Sequence, residues 1–141
     1  MSGYRVADVM TRQVLYLAAE TTLDEAAKAM RDADVGDVVM TEGATLAGMV
    51  TDRDIVVRAV AERLDPGRTT IGQVATRDIV MIEQNSTVLD AANLMRERGV
   101  RRVLVCDADR NLVGIVSLGD LAVRAEPAPA AGDAAQRVLG N

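Results

Sequence analysis

Histidine, tryptophan and phenylalanine are absent from the 141 residues; tyrosine occurs twice, cysteine once and proline three times. Each scarcity removes a class of function. Without histidine, a zinc site lacks its commonest nitrogen ligand and general acid–base chemistry its usual imidazole. A single cysteine permits no intrachain disulfide, and Cys106, closing the apolar run VLVC, reads as a buried and unreactive thiol. Two tyrosines leave almost no platform for stacking single-stranded bases. A net charge of −5 offers no basic face to a phosphate backbone, so no nucleic-acid partner is expected. No apolar run approaches the ~20 residues that cross a bilayer, and the opening MSGYRVADVM lacks the basic-then-apolar pattern of an export signal. These features predict a soluble, cytoplasmic protein with no membrane partner.

Apolar residues are plentiful, 49% of the chain, enough to fill the core of a body this long. The chain also contains a copy of itself. The stretch GMVTDRDIVVRA at 48–59 returns as GIVSLGDLAVRA at 114–125. Aligning the chain from Val9 with the chain from Val74 holds a constant offset of 65 residues, and one extra residue near Arg110 makes it 66 thereafter. Across 50 aligned pairs there are 16 identities, and most other apolar positions face apolar partners, which marks a duplicated unit of about 60 residues.

Each copy carries the same order of patterns. The apolar runs VLYL (14–17) and IVMI (79–82) predict strands. Helical spacing follows, with Leu23, Ala26, Ala27 and Met30 on one face in the first copy and Val88, Ala91, Ala92 and Met95 in the second. Thr22 with Glu25, and Thr87 with Asp90, have the spacing of a capping box. Two further apolar runs in each copy flank a turn, TEGAT or CDADR, and a second helix begins at Thr51 or Ser117. The order is strand, helix, strand, strand, helix, twice over. Between the copies, DPG at 65–67 predicts a turn and Thr70 a cap for a short helix. From Glu126 onward, EPAPAAGDAAQRVLGN lacks apolar periodicity and is expected to be mobile. Met30, Met40, Met49 and Met95 read as core filler.

The two units, each closing on Gly-apolar-apolar-Thr/Ser-x-x-Asp, resemble a tandem pair of CBS domains, the Bateman module. The likeness covers residues 5–125: a first unit at 5–62, a linker at 63–69 and a second unit at 70–125, with 126–141 as tail. TDRDIVVRAV followed by LDPG further resembles the small stand-alone CBS pairs of bacteria, including the actinobacterial hypoxic-response type. The resemblance implies a mixed α/β (α+β) fold of two units, each a three-stranded sheet packed with two helices and related by pseudo-two-fold symmetry. It also implies a non-enzymatic regulatory role in a stress response, a homodimer, and adenosine nucleotides (AMP, ADP, ATP or an S-adenosylmethionine type) bound in a cleft between the units, with or without Mg2+. A separate regulated protein is expected, since no catalytic domain is attached.

Residue by residue, the resemblance places Thr51 and Asp54 in a first site, with Arg53 offering charge to phosphate, and Ser117 and Asp120 in a second. A hydroxyl residue at a strand-to-helix junction, near free amides, suits a phosphate. An aspartate three residues on suits both ribose hydroxyls. Val14 and Ile79, at the strand starts, would meet the base through backbone groups. Arg101 and Arg102 fall where many nucleotide-binding members carry basic residues. The first copy has Gly36 and Asp37 there. SLGD replaces TDRD in the second copy and lacks its arginine, which predicts weaker phosphate binding at that site. The same residues also read as plain capping boxes. The alternative to a sensor is therefore a ligand-free dimerisation or partner-binding module. No metal site, catalytic residue or required cofactor is expected.

Overall fold

Each copy of the repeat folds a strand, a helix and a hairpin in the order its patterning predicts, in a computed structural model that describes residues 4–125. The expected mobile tail, 126–141, lies outside the described residues.

One compact unit is the continuous stretch Val14–Ile79. Strand β1 (Tyr16–Ala18) runs parallel to β2 (Asp37–Glu42), which pairs antiparallel with β3 (Thr45–Thr51). Two parallel neighbours need a crossover, and helix α2 (Leu23–Ala33) supplies it. Thr22 caps that helix, its N–H donating to Glu25 Oε1 at 3.2 Å, and Asp34 ends it in the left-handed conformation at φ 56°. Leu23, Ala26 and Met30 turn inward onto Val38, Met40 and Val50. After β3 come helix α3 (Asp52–Ile55) and one π-helical stretch, Val56–Val60, which buries only Ala59. The unit closes with α4 (Ile71–Val74), capped by Thr70, whose N–H donates to Gln73 Oε1 at 2.8 Å.

The other unit combines the described residues up to Gln13 with those from Val80 onward. Helix α1 (Val6–Val9) is its first element; then β4 (Met81–Glu83), α5 (Val88–Arg98), β5 (Arg102–Cys106), β6 (Leu112–Ser117) and α6 (Leu118–Ala125) repeat the same plan. Strands β4 and β5 are parallel, β5 and β6 antiparallel. Thr87 caps α5, accepting from Asp90 N–H at 3.0 Å, and Gly99 closes it at φ 66°. Val6 and Met10 join Ile82, Ala91, Met95, Val103, Val105, Val116 and Leu121 in its core. The extra residue of the second copy lies in the β5–β6 turn: four residues separate the paired Thr41 and Leu46, five separate Cys106 and Leu112.

The sequence repeat and the compact unit are thus offset. The segment that opens each copy lies on the other copy's sheet, and it does so by the same bonds. Thr11 exchanges backbone bonds with Ile115 at 2.8 and 2.9 Å, and Thr76 with Met49 at 2.9 and 2.9 Å. Amides at the start of α1 donate to Ser86 and Gln84 carbonyls, those at the start of α4 to Thr21 and Ala19. The Thr76 and Thr11 bonds pair Met49 on the outer edge of β3 and Ile115 on that of β6, positions that a bare sheet would leave unpaired. Glycine is required where the arms cross: a Cβ at Gly48 would stand 2.6 Å from the Thr76 carbonyl oxygen, and one at Gly114 2.8 Å from that of Thr11.

Candidate functional site

Both copies of the hydroxyl–aspartate motif sit where an edge strand passes into a helix. At the end of β3, Thr51 is extended (φ −110°, ψ 164°) and α3 starts on the next residue. The two side chains close on each other's backbone: Asp54 N–H donates to Thr51 Oγ1 at 3.0 Å and Thr51 N–H to Asp54 Oδ2 at 2.9 Å. The bonds recur after β6, with Asp120 N–H to Ser117 Oγ at 3.1 Å and Ser117 N–H to Asp120 Oδ2 at 2.9 Å. This is the reciprocal box of a helix start, so the capping role is real in both units. It uses one carboxylate oxygen and the acceptor side of each hydroxyl. The second carboxylate oxygen and the O–H donor are outside the box, on residues only half-buried. Such a pair can cap a helix and still meet a diol or a phosphate.

The first amide of each helix is taken by a carbonyl, Asp52 N–H by Gly36 O at 2.9 Å and Leu118 N–H by Arg101 O at 2.8 Å. Beyond it the copies diverge. In the Val14–Ile79 unit, Asp52 Oδ1 accepts the Arg53 N–H at 2.8 Å. Leu118 stands at that place in the other unit and brings no acceptor for the Gly119 N–H. Across the strands, Thr51 is paired with Asp37 and Ser117 with Arg102. The residue facing the hydroxyl is therefore acidic in one unit and basic in the other.

Among the residues expected from sequence, Thr51, Arg53 and Asp54 share one junction, with Arg53 exposed beside it. Ser117, Asp120, Arg101 and Arg102 share the other, Arg101 exposed and Arg102 half-buried. Val14 and Ile79 are half-buried and precede the strands, each one residue before a carbonyl that holds the parallel pairing: Leu15 O accepts from Val39 N–H at 2.8 Å and Val80 O from Leu104 N–H at 3.0 Å. Ile79 is the last residue of the unit that carries Thr51. Arg58 was not anticipated. Its Nε lies 3.9 Å from Asp54 Oδ1 and its Nη1 donates to the Val74 carbonyl at 3.1 Å, so it ties the junction to the end of α4. The signal was the i, i+4 spacing from Asp54 within the repeated Val-Arg-Ala.

Comparison with known proteins agrees with this duplication. The CBS domain family model matches residues 6–60 and 71–125. The CBS domain-containing protein YhcV of Bacillus subtilis is 40% identical over 129 residues, covering 92% of this chain and 91% of that protein. The CBS domain protein PAE2072 of Pyrobaculum aerophilum, solved complexed with AMP, superposes with a TM-score of 0.74 at 29% identity, over 89% of this chain and 94% of the other. Hypoxic Response Protein I, solved with two coordinated zinc ions, superposes at 0.66 with 37% identity, over 84% and 97%. In this chain histidine is lacking, Cys106 is buried in β5, and no cluster of three His, Cys, Asp or Glu side chains suited to a metal occurs among the described residues. With both family windows filled by the two halves of one repeat, the chain belongs to the CBS-domain family, as a tandem pair of regulatory modules.

Proposed function

We propose that the chain is a non-enzymatic, cytoplasmic sensor that binds adenosine nucleotides at its two strand–helix junctions, through Thr51 and Asp54 in one unit and Ser117 and Asp120 in the other. The observation that carries this reading is the recurrence of one arrangement: a hydroxyl–aspartate pair with its second carboxylate oxygen and its O–H outside the capping box, at matched positions in both copies, Asp54 Oδ1 being also 3.9 Å from Arg58 Nε. The AMP complex of PAE2072 supports the ligand class. Ribose hydroxyls would donate to the carboxylate oxygen outside the box, and the base would lie against the backbone at Val14 or Ile79. A ligand regulates only by binding one arrangement of the protein better than another. The response would pass to a separate protein, in a stress setting of the kind the name Hypoxic Response Protein suggests; neither Mg2+ nor any cofactor is required by the junctions.

Melting the protein with AMP, ATP, adenosine or S-adenosylmethionine tests the reading. A ligand at 100 times its Kd stabilises the folded state by about 2.7 kcal/mol. No shift with any of them, with none bound in calorimetry, would leave the repeat as architecture. An assay of nucleotide turnover with Mg2+ should stay at background.

A second reading, assembly, has its own observation. Val56, Val57, Val60 and Leu64 project 56, 46, 65 and 40% exposed from the π-helical stretch and the residues after it. Four neighbouring apolar side chains in water are costly, and a second copy of the chain would cover them as a homodimer. Light scattering should give twice 15.0 kDa, and Val60→Glu should return the monomer mass.

A further inference from the structure

We infer that Arg58 makes the end of α4 respond to a ligand at Asp54: one guanidinium is shared between the carboxylate oxygen outside the capping box and the carbonyls that close the short helix. This rests on the nucleotide reading above and adds how binding there is passed on.

The chemistry starts at the carboxylate. Thr51 N–H holds Asp54 Oδ2 at 2.9 Å, so Oδ1 is the oxygen that ribose hydroxyls would take. Arg58 Nε lies 3.9 Å from that oxygen, an ion pair too long to be a hydrogen bond. On its other side Nη1 donates to Val74 O at 3.1 Å and, more weakly, to Ala75 O at 3.4 Å. Carbonyls at a helix end have no partner within the helix. Arg58 supplies these two with a donor.

Nε and Nη1 belong to one rigid plane, so a guanidinium drawn toward Asp54 is drawn away from α4. Hydroxyl donors arriving at Oδ1 satisfy part of the carboxylate's charge and weaken that pull. The carbonyl bonds then tighten. A ligand at Asp54 is thereby felt at Ala75 and at Thr76, whose backbone exchanges bonds with Met49. This is also the stretch by which the chain leaves the unit, which ends at Ile79.

The local backbone agrees. Arg58 is the one charged residue of the π-helical stretch Val56–Val60, whose wider turn is closed by Ala61 N–H donating to Val56 O at 2.9 Å. Single π turns are rare and recur at functional sites. Ala59 enters the core with Ile71 and Val74, and Arg58 beside it reaches the same short helix.

Hydrogen exchange of the full chain, free and saturated with adenosine, tests this, with the buried Ala26 of α2 as the internal reference for general stabilisation. In the unaltered chain, adenosine should slow exchange at Ala75 and Thr76 by a factor of about two to five beyond its effect at Ala26, the fold-change that a half-exposed ion pair commands. Arg58→Gln should abolish this excess. Arg58→Lys should abolish it too, because one ammonium keeps the charge but cannot serve Asp54 and α4 together. A slowing in the unaltered chain no greater at Ala75 and Thr76 than at Ala26, or an excess that survives either substitution, would overturn the coupling and leave the nucleotide reading standing. Adenosine bound by none of the three proteins would remove both.

Discussion

The two units share one backbone plan and differ in how the chain closes it. Val14–Ile79 contains its own sheet, its own core and α4, whereas the other unit needs residues from the far end of the chain. Val6, fully buried, and Met10, 9% exposed, complete a core whose remaining members begin at Val80. Duplication has therefore kept the fold while splitting one unit in two. The junctions repeat that lesson at the scale of side chains. The Thr/Ser–Asp box is the same to within 0.1 Å in each bond, yet Asp37 and Asp52 in one copy are Arg102 and Leu118 in the other. Geometry is held by the backbone and was copied; charge lies on side chains beside it and was free to diverge.

The largest expected effect is on folding of the separated units. A fragment of residues 14–79 should melt cooperatively by circular dichroism, because the members of its core cluster, from Leu23 to Val74, all lie inside it. A fragment of residues 80–125 should not, lacking Val6, Met10 and the Thr11–Ile115 bonds. Adding a peptide of residues 1–13 in trans should restore its transition. Equal behaviour of the two fragments would break the comparison.

Next in size are the arm crossings. Gly48→Ala and Gly114→Ala should each destabilise the whole chain by about 1–3 kcal/mol, the usual cost of forced overpacking, measured by urea titration. Gly48 should cost more. Its Cβ would meet the Thr76 carbonyl at 2.6 Å, while at Gly114 the Thr11 carbonyl stands at 2.8 Å and the other close atom belongs to the flexible Met10 side chain.

The smallest effect concerns the turns, where the copies differ by one residue. Gly43 takes the turn at φ 62° in one unit. In the other, Asp107 accepts from the N–H groups of Asn111 and Asp109 at 2.9 Å each and from the Asn111 side chain at 3.2 Å, while Arg110 adopts φ 69°. The backbone bond from Asn111, then its side-chain bond, hold the Asp107 carboxyl below its ordinary value of 3.8. A carboxyl depressed on folding contributes stability that is present above its unfolded pKa and lost as pH falls through the folded one. The loss from Asp107 should therefore lie below pH 3.8, and Asn111→Ala should reduce the steepness of acid unfolding there. An unchanged acid limb would show that the turn contributes nothing measurable.

Most of the fold was legible because it follows from periodicity. The two amphipathic helices, the caps at Thr22, Thr70 and Thr87, and the extra residue near Arg110 all leave local marks in the chain. The offset between repeat and unit leaves none. Nothing in the spacing of Thr11 or Thr76 says which sheet edge it will pair with, since a duplicated sequence offers two equivalent edges to each arm. The junction residues Thr51, Asp54, Ser117 and Asp120 were legible as a repeated motif. Asp37 was visible only as the absence of an arginine; its position against Thr51 depends on strand register, which the β2–β3 pairing sets. The π-helical stretch was hidden too, because Val56, Val57 and Val60 read as ordinary helix until their exposure is seen.

The measurement closest to the central claim is calorimetric titration of AMP and adenosine into the unaltered chain and into Asp54→Ala, Asp120→Ala and the double variant, beside their melting temperatures. Loss of the cap alone should cost each single variant about 0.5–2 kcal/mol of stability. The account predicts in addition that adenosine binding falls with each substitution and disappears in a double variant that still folds. Unchanged affinity in variants that melt earlier would contradict it, and would reduce both aspartates to helix caps.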